Sequence, residues 1–515
     1  MTKLAINPNP PQNQPVLEPN KLIAMVSELN QEYEKQLRYF ENGIPFLPVM
    51  EPATVGNGIR RIDDPTAKRV FEVYYLKESS KLKIVYFVPS SGAATRMFKD
   101  FFAFLNEVGK KELLNVFFEQ IHQFAFYRQL SATVEEAGLD LNDLIRKKDY
   151  KTILQTLLDD SSMSYGSLPK GLVKFHQYQD HERTPIHEHI YEFSSYGSGR
   201  NGEIHIHFTV NPLFKQAFVE ESSSVLQFLG KDNITIGFSV QNPETDTLAV
   251  DGDNLPIHLP DGTFYRRPGG HGALIHNLNQ IDADLIFLKN IDNIQIEKET
   301  KPALTYKKEM AGLLLMVRNE LAQLLPQLIG SSPKKELIRY AENFLINQIG
   351  FKLPPNYMDW DMEHQQQYIF DKLNRPLRIC GMVKNEGATG GGPFWVENQD
   401  GSQSLQIVET AQIDRERPVY NELFQKSTHF NPVEIVCSLR NYRGDRFDLA
   451  KYIDPDAGFI SEKTKNGQKI KVFEWPGLWN GAMSDWNTLF VEIGSEHFTP
   501  VKSVYDLLDK SHQLA

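Results

Sequence analysis

The feature that most constrains this chain is an abrupt change of texture at residue 89. Ile84–Val88 is an uncharged run of β-branched and aromatic residues, the pattern of a strand buried on both faces. Pro89 ends it, and Ser90, Ser91, Gly92, Ala93, Ala94, Thr95 and Arg96 lead into residues 97–160, which are rich in Phe, Leu, Lys and Glu. A buried strand turning through small residues into a helical run belongs to an α/β sheet. Small residues let backbone N–H groups approach an anion, and a helix N-terminus behind them adds partial positive charge. Thr95 suits a helix cap, and Arg96 offers a planar fork for phosphate oxygens. The same residues also suit a bare strand–turn–helix junction. Neither the Lys-Ser/Thr ending of a Walker A loop nor G-x-G-x-x-G is present.

Around this junction the chain reads in five parts. Residues 1–20, rich in Pro, Asn and Gln and without the apolar core of a signal peptide, are expected to be a disordered tail. Residues 21–80 are an N-terminal helical segment, with Leu22, Val26, Leu29, Tyr33 and Phe40 at helical spacing. Residues 81–300 hold the sheet core, with a helical insertion at 98–160 and further strands at Ile204–Val210, Ile234–Val240 and Asp284–Leu288. Residues 301–350 are helical, with Met310, Leu313, Leu314, Val317 and Leu321 on one face, and 351–515 have strand-and-loop texture rich in Gly, Pro and Trp.

Charge and composition exclude several functions. The formal net charge is −11 with no basic stripe, which argues against nucleic acid as a partner. No stretch reaches the roughly 18 apolar residues of a membrane span. Two cysteines, Cys380 and Cys437, cannot make a disulfide framework or a four-thiolate zinc site, so a cytoplasmic location is expected.

Ser90–Met97 resembles the A-G-G-x-G-T-R-L/M loop of sugar-1-phosphate nucleotidyltransferases. Gly92, Thr95, Arg96 and Met97 match, and Ser90, Ser91 and Ala94 stand in for other small residues. A positive φ at position 94 would cost Ala roughly 1 kcal/mol or more over Gly. Four later segments follow in family order. Ser167-Leu-Pro-Lys170 is similar to the L-P-K segment, and Arg267-Pro-Gly-Gly-His-Gly272 resembles the P-P-G-H-G stretch of UDP-sugar pyrophosphorylases. Asn290-Ile-Asp-Asn293 closes an apolar strand as in the same family. Phe498-Thr-Pro-Val-Lys502 resembles the R-F-L-P-V-K ending of UTP–glucose-1-phosphate uridylyltransferases. The chain as a whole also resembles a bacterial family of uncharacterised function.

The resemblance implies a Rossmann-like nucleotide-diphospho-sugar transferase (GT-A type) mixed sheet with helical insertions. It implies an NDP-sugar, UDP-sugar above all, made with pyrophosphate from a nucleoside triphosphate and a sugar 1-phosphate. Arg96, Lys170 and Lys502 would then be catalytic, and Ser90, Ser91, Gly92, Ala93, Ala94, Thr95, Gln241, Gly270 and His271 would bind the nucleotide. Asp292 would hold Mg²⁺, which takes one or two carboxylates plus phosphate oxygens. A glycosyltransferase of the same fold and a non-catalytic nucleotide or sugar-nucleotide sensor remain as alternatives.

Other segments offer polar groups. Lys384, Asn385 and Glu386, between an apolar run and a glycine loop, suit sugar hydroxyls and a phosphate, or a plain hairpin. Trp475, Trp479, Asn480, Asp485 and Trp486 suit carbohydrate or a core, with Asp485 a candidate second metal ligand. His187/His189 and His205/His207 have the spacing of strand neighbours facing one side, and read as structural. Asp251-Gly-Asp253 and Asp282-Ala-Asp284 have the D-x-D form but read as a turn and a strand entry.

Overall fold

The computed structural model describes residues 19–514 apart from 108–110, 330–331, 333, 388–390 and 466–467. The expected tail lies outside the described residues as far as residue 18, and so does part of the glycine loop after Glu386.

The chain divides into two compact units. The smaller combines the described part of Met1–Ile44 with Asp246–Arg267 and Ile460–Glu474. In it the helix α1 (Pro19–Asn42) lies against a four-stranded sheet that includes Thr247–Val250 and Gln468–Glu474. Gln36 Oε1 accepts from the Leu248 amide at 2.9 Å, and Tyr39 stacks on Phe473 with centroids 5.5 Å apart.

The larger unit is built on a ten-stranded mixed sheet. Its strands are β1 (Thr54–Val55), β2 (Gly58–Arg60), β3 (Ile84–Pro89), β4 (Ile204–Thr209), β5 (Ile234–Ser239), β6 (Leu285–Leu288), β7 (Leu377–Lys384), β8 (His429–Phe430), β9 (Ile435–Ser438) and β10 (Asn487–Glu492). The order across the sheet is β1-β2-β10-β7-β9-β6-β3-β4-β5, with β8 added on β7. On that path every pairing is parallel except those of β9, which runs against β6 and β7.

Both faces of the sheet are covered, as the uncharged strands require. Along β3, Ile84, Tyr86 and Val88 enter one apolar cluster, while Val85 and Phe87 enter another. The first cluster is closed by helices Pro185–Phe193 and Glu297–Leu328; the second takes Ile275 and Leu278 from Ile275–Asn279. All five residues expected on one face near 310–321 are buried in the first cluster.

Two expectations need correction. The stretch 21–80 is not helical throughout: Val49–Pro52, β1 and β2 intervene before the helix Pro65–Ser79. Pro45, Pro48 and Pro52 cannot sit inside a helix, and Gly56 and Gly58 adopt positive φ. The helical run of 98–160, whose texture suits three or four helices, holds five short α-helices among the described residues: Lys99–Leu105, Lys111–Glu119, Tyr127–Glu136, Leu141–Lys147 and Tyr150–Leu158. Asp140 and Asp149 cap the last two and so break the run. Its apolar faces form a separate core around Phe98, Phe101, Phe117 and Phe126.

Helix Glu297–Leu328 and helix Pro65–Ser79 pack closely because Gly312 has no side chain. A Cβ there would stand 1.9 Å from the Phe71 carbonyl oxygen. Helix propensity alone favours Ala over Gly by about 1 kcal/mol, but a backbone oxygen cannot rotate away. Gly312→Ala is therefore expected to destabilise by about 1–3 kcal/mol. Chemical denaturation would read this, and a stabilised variant would refute the close approach.

Candidate active site

Counted in chain order, β3, β4, β5 and β6 lie in the order 3-2-1-4, so the sheet winds one way from β3 and then the other. Open α/β sheets bind ligands outside the carboxyl ends of the strands at such a reversal. Here the reversal falls between β3 and β6, whose carboxyl ends carry Ser90–Arg96 and Asp292.

The Ser90–Arg96 loop is pinned at both ends. The Ser90 amide donates to the Thr209 carbonyl at 2.9 Å, and the Ala94 amide to the Leu168 carbonyl at 2.8 Å. The amides of Ser91, Gly92 and Ala93 have no acceptor among the described residues, and the side chain of Arg96 is exposed. Ala94 is buried and is absent from the positive-φ residues, so its methyl group is a packing atom and the expected strain does not arise. Thr95 does not cap a helix. Its hydroxyl donates to the Gly166 carbonyl at 3.1 Å, and a 3-10 turn, Ala94–Arg96, separates the loop from the helix starting at Lys99. The positive charge available to an anion therefore comes from side chains and unpaired amides, not from a helix end.

The return from the insertion runs beside this loop. Ala93 pairs with Pro169 in an isolated bridge, and the Lys170 amide donates to the Gly92 carbonyl at 3.2 Å. Lys170 Nζ then donates to Asp292 Oδ2 and to the Val501 carbonyl, both at 2.7 Å. Lys502 Nζ reaches the same Oδ2 at 3.3 Å. The segment around 500 is stitched to the end of β6: the Val501 amide donates to the Asp292 carbonyl at 2.9 Å, and the Thr499 amide to Asn293 Oδ1 at 3.2 Å. Three of the residues singled out in sequence, separated by up to 332 positions, thus meet at one carboxylate.

Asp292 is buried, and burial alone would raise its carboxyl. The two ammonium groups outweigh that, holding it below the ordinary carboxylate range. The lysines differ: the side chain of Lys170 is 13% exposed and that of Lys502 60%. Asp292 Oδ1 has no partner among the described residues, where no group of three or more His, Cys, Asp or Glu side chains could hold a metal by itself.

Behind Asp292 lies a group the sequence reading missed. Lys289 Nζ bonds Glu192 Oε2 at 2.9 Å and meets Glu434 Oε1 at 3.4 Å. Lys307 Nζ reaches Glu434 Oε2 at 2.6 Å and Glu192 Oε1 at 3.1 Å. All four are buried, and alternate charges close a ring of zero net charge. Burial opposes the ionised forms, yet Glu192 is held low by its two lysines, and Lys307 is held high by its two carboxylates. Asn293 Nδ2 donates to Glu434 Oε1 at 3.2 Å, which ties the ring to the Asp292 turn. The available signal was charged residues set in apolar surroundings, as Lys307 is beside Met310 and Leu313.

The remaining candidates spread along the same edge or leave it. Gln241 follows β5, two strands from β3 and so about 10 Å away at the usual strand spacing; its Nε2 donates to Thr245 Oγ1 at 3.3 Å. Gly270 has φ +79, and His271 Nδ1 accepts the Leu478 amide at 3.0 Å while its ring stacks on Trp479 at 4.4 Å. Trp479 therefore packs on protein, as do Trp475, whose Nε1 donates to the Thr245 carbonyl, and Asn480, which donates to Glu409. Lys384, Asn385 and Glu386 are exposed at the end of β7, where Lys384, Arg61, Lys68 and Glu492 line a cavity of about 490 Å³.

Asp485 is at the wrong edge to share a metal with Asp292. It precedes β10, which is parallel to β7 and β6 in direction, so about 20 Å of strand separates it from the carboxyl edge. It pairs instead with Arg375 at 3.2 Å. Both D-x-D pairs are structural: Asp251 Oδ1 accepts the amides of Asp253 and Leu255, and Asp282 and Asp284, before β6, pair with Arg440. His187 and His189 lie on a helix rather than a strand; His189 bonds Tyr86 and the Ile291 carbonyl, and His207 bonds Ser239.

The fold and edge define a three-layered α/β protein with an anion-suited site at the sheet's reversal. The chain belongs to the family described as Domain of unknown function (DUF4301), matched over residues 19–513. Comparison with curated proteins gave no match. Among solved structures, the chain is similar to the UDP-glucose pyrophosphorylase from Leishmania major at 12% identity and a TM-score of 0.42, with 95% of this chain and 77% of that chain covered. It is also similar to the uridine diphosphate N-acetylglucosamine pyrophosphorylase from Trypanosoma brucei in complex with inhibitor, at 12% identity and a TM-score of 0.45, covering 94% and 75%. No described helix is long and apolar enough to cross a membrane.

Asp292, with its lowered carboxyl, contributes stability that is present above its unfolded value and lost as pH falls through the folded one. Lys170→Met removes one ammonium group and the donor to Val501. It is expected to cost about 1–3 kcal/mol near neutral pH and to move the acid loss of stability to higher pH. Unfolding free energies measured from pH 3 to 7 would show this; an unshifted acid limb would remove Lys170 from the control of Asp292.

Proposed function

We propose that this protein is a nucleotidyltransferase of the nucleotide-diphospho-sugar transferase (GT-A type) class, joining a nucleoside triphosphate to a sugar 1-phosphate with release of pyrophosphate. The observation that carries the reading is the meeting of Lys170, Asp292 and Lys502 beside three unpaired amides, Ser91–Ala93, at the sheet's reversal. The family motifs seen in sequence concern these same residues. UTP is the triphosphate the motifs favour.

The chemistry asks for little beyond position and charge. A sugar 1-phosphate is largely dianionic near neutral pH, its second pKa being about 6, so it needs no general base. The obstacle is bringing one anion in line with another. Ser91–Ala93 and Arg96 would bind the triphosphate. Lys170, held by Asp292 and Val501, would fix the geometry, and the exposed head of Lys502 would turn from Asp292 to a phosphate oxygen as charge develops. Gln241, Gly270 and His271 would contact the nucleotide, and Lys384, Asn385 and Glu386 the sugar and its phosphate. Asp292, with Oδ1 open, would hold Mg²⁺ together with substrate phosphates, and the ion would neutralise their charge.

Pyrophosphate release assayed over the four nucleoside triphosphates and a panel of sugar 1-phosphates tests the reading. At least one pair should turn over with Mg²⁺. Because Lys502 is largely exposed, Lys502→Ala should lose about tenfold or more in turnover and still unfold cooperatively, with a smaller loss of stability than Lys170→Met. No release from any pair would overturn the proposal, and consumption of a ready-made NDP-sugar without pyrophosphate would replace it with glycosyl transfer.

A further inference from the structure

A second set of buried ionisable groups lies away from the phosphate side of the site. His176 is fully buried. Its Nδ1 is 2.9 Å from Glu188 Oε1, and its Nε2 is 2.8 Å from Nδ1 of His512. His512 Nε2 is 3.1 Å from the Thr499 carbonyl oxygen. These contacts form one line: carboxylate, imidazole, imidazole, carbonyl.

Both ends of the line are acceptors. Glu188 is ionised, since it also accepts from the Tyr178 hydroxyl at 2.8 Å and from Arg183 Nη1 at 3.4 Å, and a carbonyl can only accept. Three contacts therefore need three protons, whereas two neutral imidazoles carry two. With two protons, one contact sets lone pair against lone pair in a site closed to water. With three, every contact is a hydrogen bond and the pair bears one positive charge.

The surrounding charges lead to the same count. Those facing the pair are Glu188 from helix Pro185–Phe193, Arg183, which pairs with His176 in a two-stranded ladder and whose Nε donates to His181 Nε2 at 3.0 Å, and Glu297, which Arg183 also bonds at 3.2 Å. Two carboxylates and one guanidinium leave one negative charge, which a singly charged histidine pair cancels. Tyr178 and Tyr191 bond Glu188 and Glu297 as neutral phenols.

We propose that His176 and His512 share one proton beyond their neutral complement and act as positioning residues, latching the segment 499–504 so that Lys502 faces Asp292. The role given to Lys502 rests on the nucleotidyl-transfer reading; the latch itself does not. Burial, and then His176, hold His512 low, at about 3. Thr499 in turn reaches Asn293, and Val501 reaches Asp292, so the His512–Thr499 bond adjoins the carboxylate the lysines share. Losing the proton leaves one contact without a hydrogen: Glu188 keeps a proton on His176 Nδ1, so His512 has one proton for two contacts and either faces the His176 Nε2 lone pair with its own or turns the Nε2 lone pair to the Thr499 oxygen.

The proton count is measurable in the full chain by nitrogen-15 NMR with labelled histidine near neutral pH. The proposal expects three of the four ring nitrogens of His176 and His512 to be protonated; two neutral rings would overturn it. Glu188→Gln removes the anion that retains the proton. Amide hydrogen exchange at Thr499 and Val501 should then quicken about fivefold or more, the effect of one lost buried hydrogen bond, with β3 and β6 unchanged. Equal exchange in variant and wild type would also overturn it, and if the variant does not fold, the wild-type proton count decides alone. In the pyrophosphate assay, the variant's alkaline rise in KM should begin at lower pH than in the wild type, which a purely structural role would not produce. A wild type inactive on every substrate would strike the nucleotidyl-transfer reading and leave the count and exchange results standing.

Discussion

The structure around the site depends on four charges that water cannot reach. Glu192, Lys289, Lys307 and Glu434 come from a helix, the end of β6, a second helix and the start of β9, and each ion touches both ions of opposite sign. Taking four ions out of water costs several kcal/mol apiece, and mutual attraction repays this only when the geometry is closed. The ring satisfies that condition with no charge left over. It is weak evidence of stability, since apolar residues could fill the space, but it specifies position: no partner can shift without leaving a buried charge unpaired. The turn bearing Asp292 inherits that precision through Asn293.

The antiparallel strand β9 has a related part. Because it runs against its neighbours, its first residues emerge at the carboxyl edge, and Glu434 arrives there just before the strand begins. A parallel strand in that place would have put the same residues at the far edge, where Asp485, Asp282 and Asp284 are found. This reversed strand thus supplies an acidic group from behind, and the parallel strands supply loops in front. The helical insertion completes the arrangement by returning at Gly166–Lys170 against the Ser90–Arg96 loop, so that a bulky addition to the chain ends with its lysine on Asp292.

Much of this was legible in the residues. Short apolar runs bounded by turns identified β3, β4, β5 and β6 within a residue or two, because a strand covered on both faces is largely apolar. Lys170, Asp292 and Lys502 were legible as motifs, and their meeting at one carboxylate is what long-range topology adds. Thr95 was misjudged because its hydroxyl serves a carbonyl 71 residues away, a partner no local pattern reveals. Asp485 was misplaced because strand direction decides which edge a residue occupies, and direction is not written in composition. The buried ring and the histidine pair were missed for one reason: each member is an isolated polar residue, and only pairing in space distinguishes it from a surface charge. The strands within 49–60 were hidden by proline and glycine, which mark a break in a helix without specifying the structure that replaces it.

The segment near 500 has a consequence for the order in which this protein can become competent. It supplies Lys502, a carbonyl for Lys170 and the amide that fastens Asp292, yet it is made roughly 200 residues after that aspartate. On a ribosome adding about 5–20 residues each second, the sheet's reversal can form while this strap is still unwritten. During that interval Asp292 has only one of its two cations. Completion is thus tied to a late stretch of synthesis, since β7, β9 and β10 of the same sheet, and then the strap, all follow Asp292 along the chain.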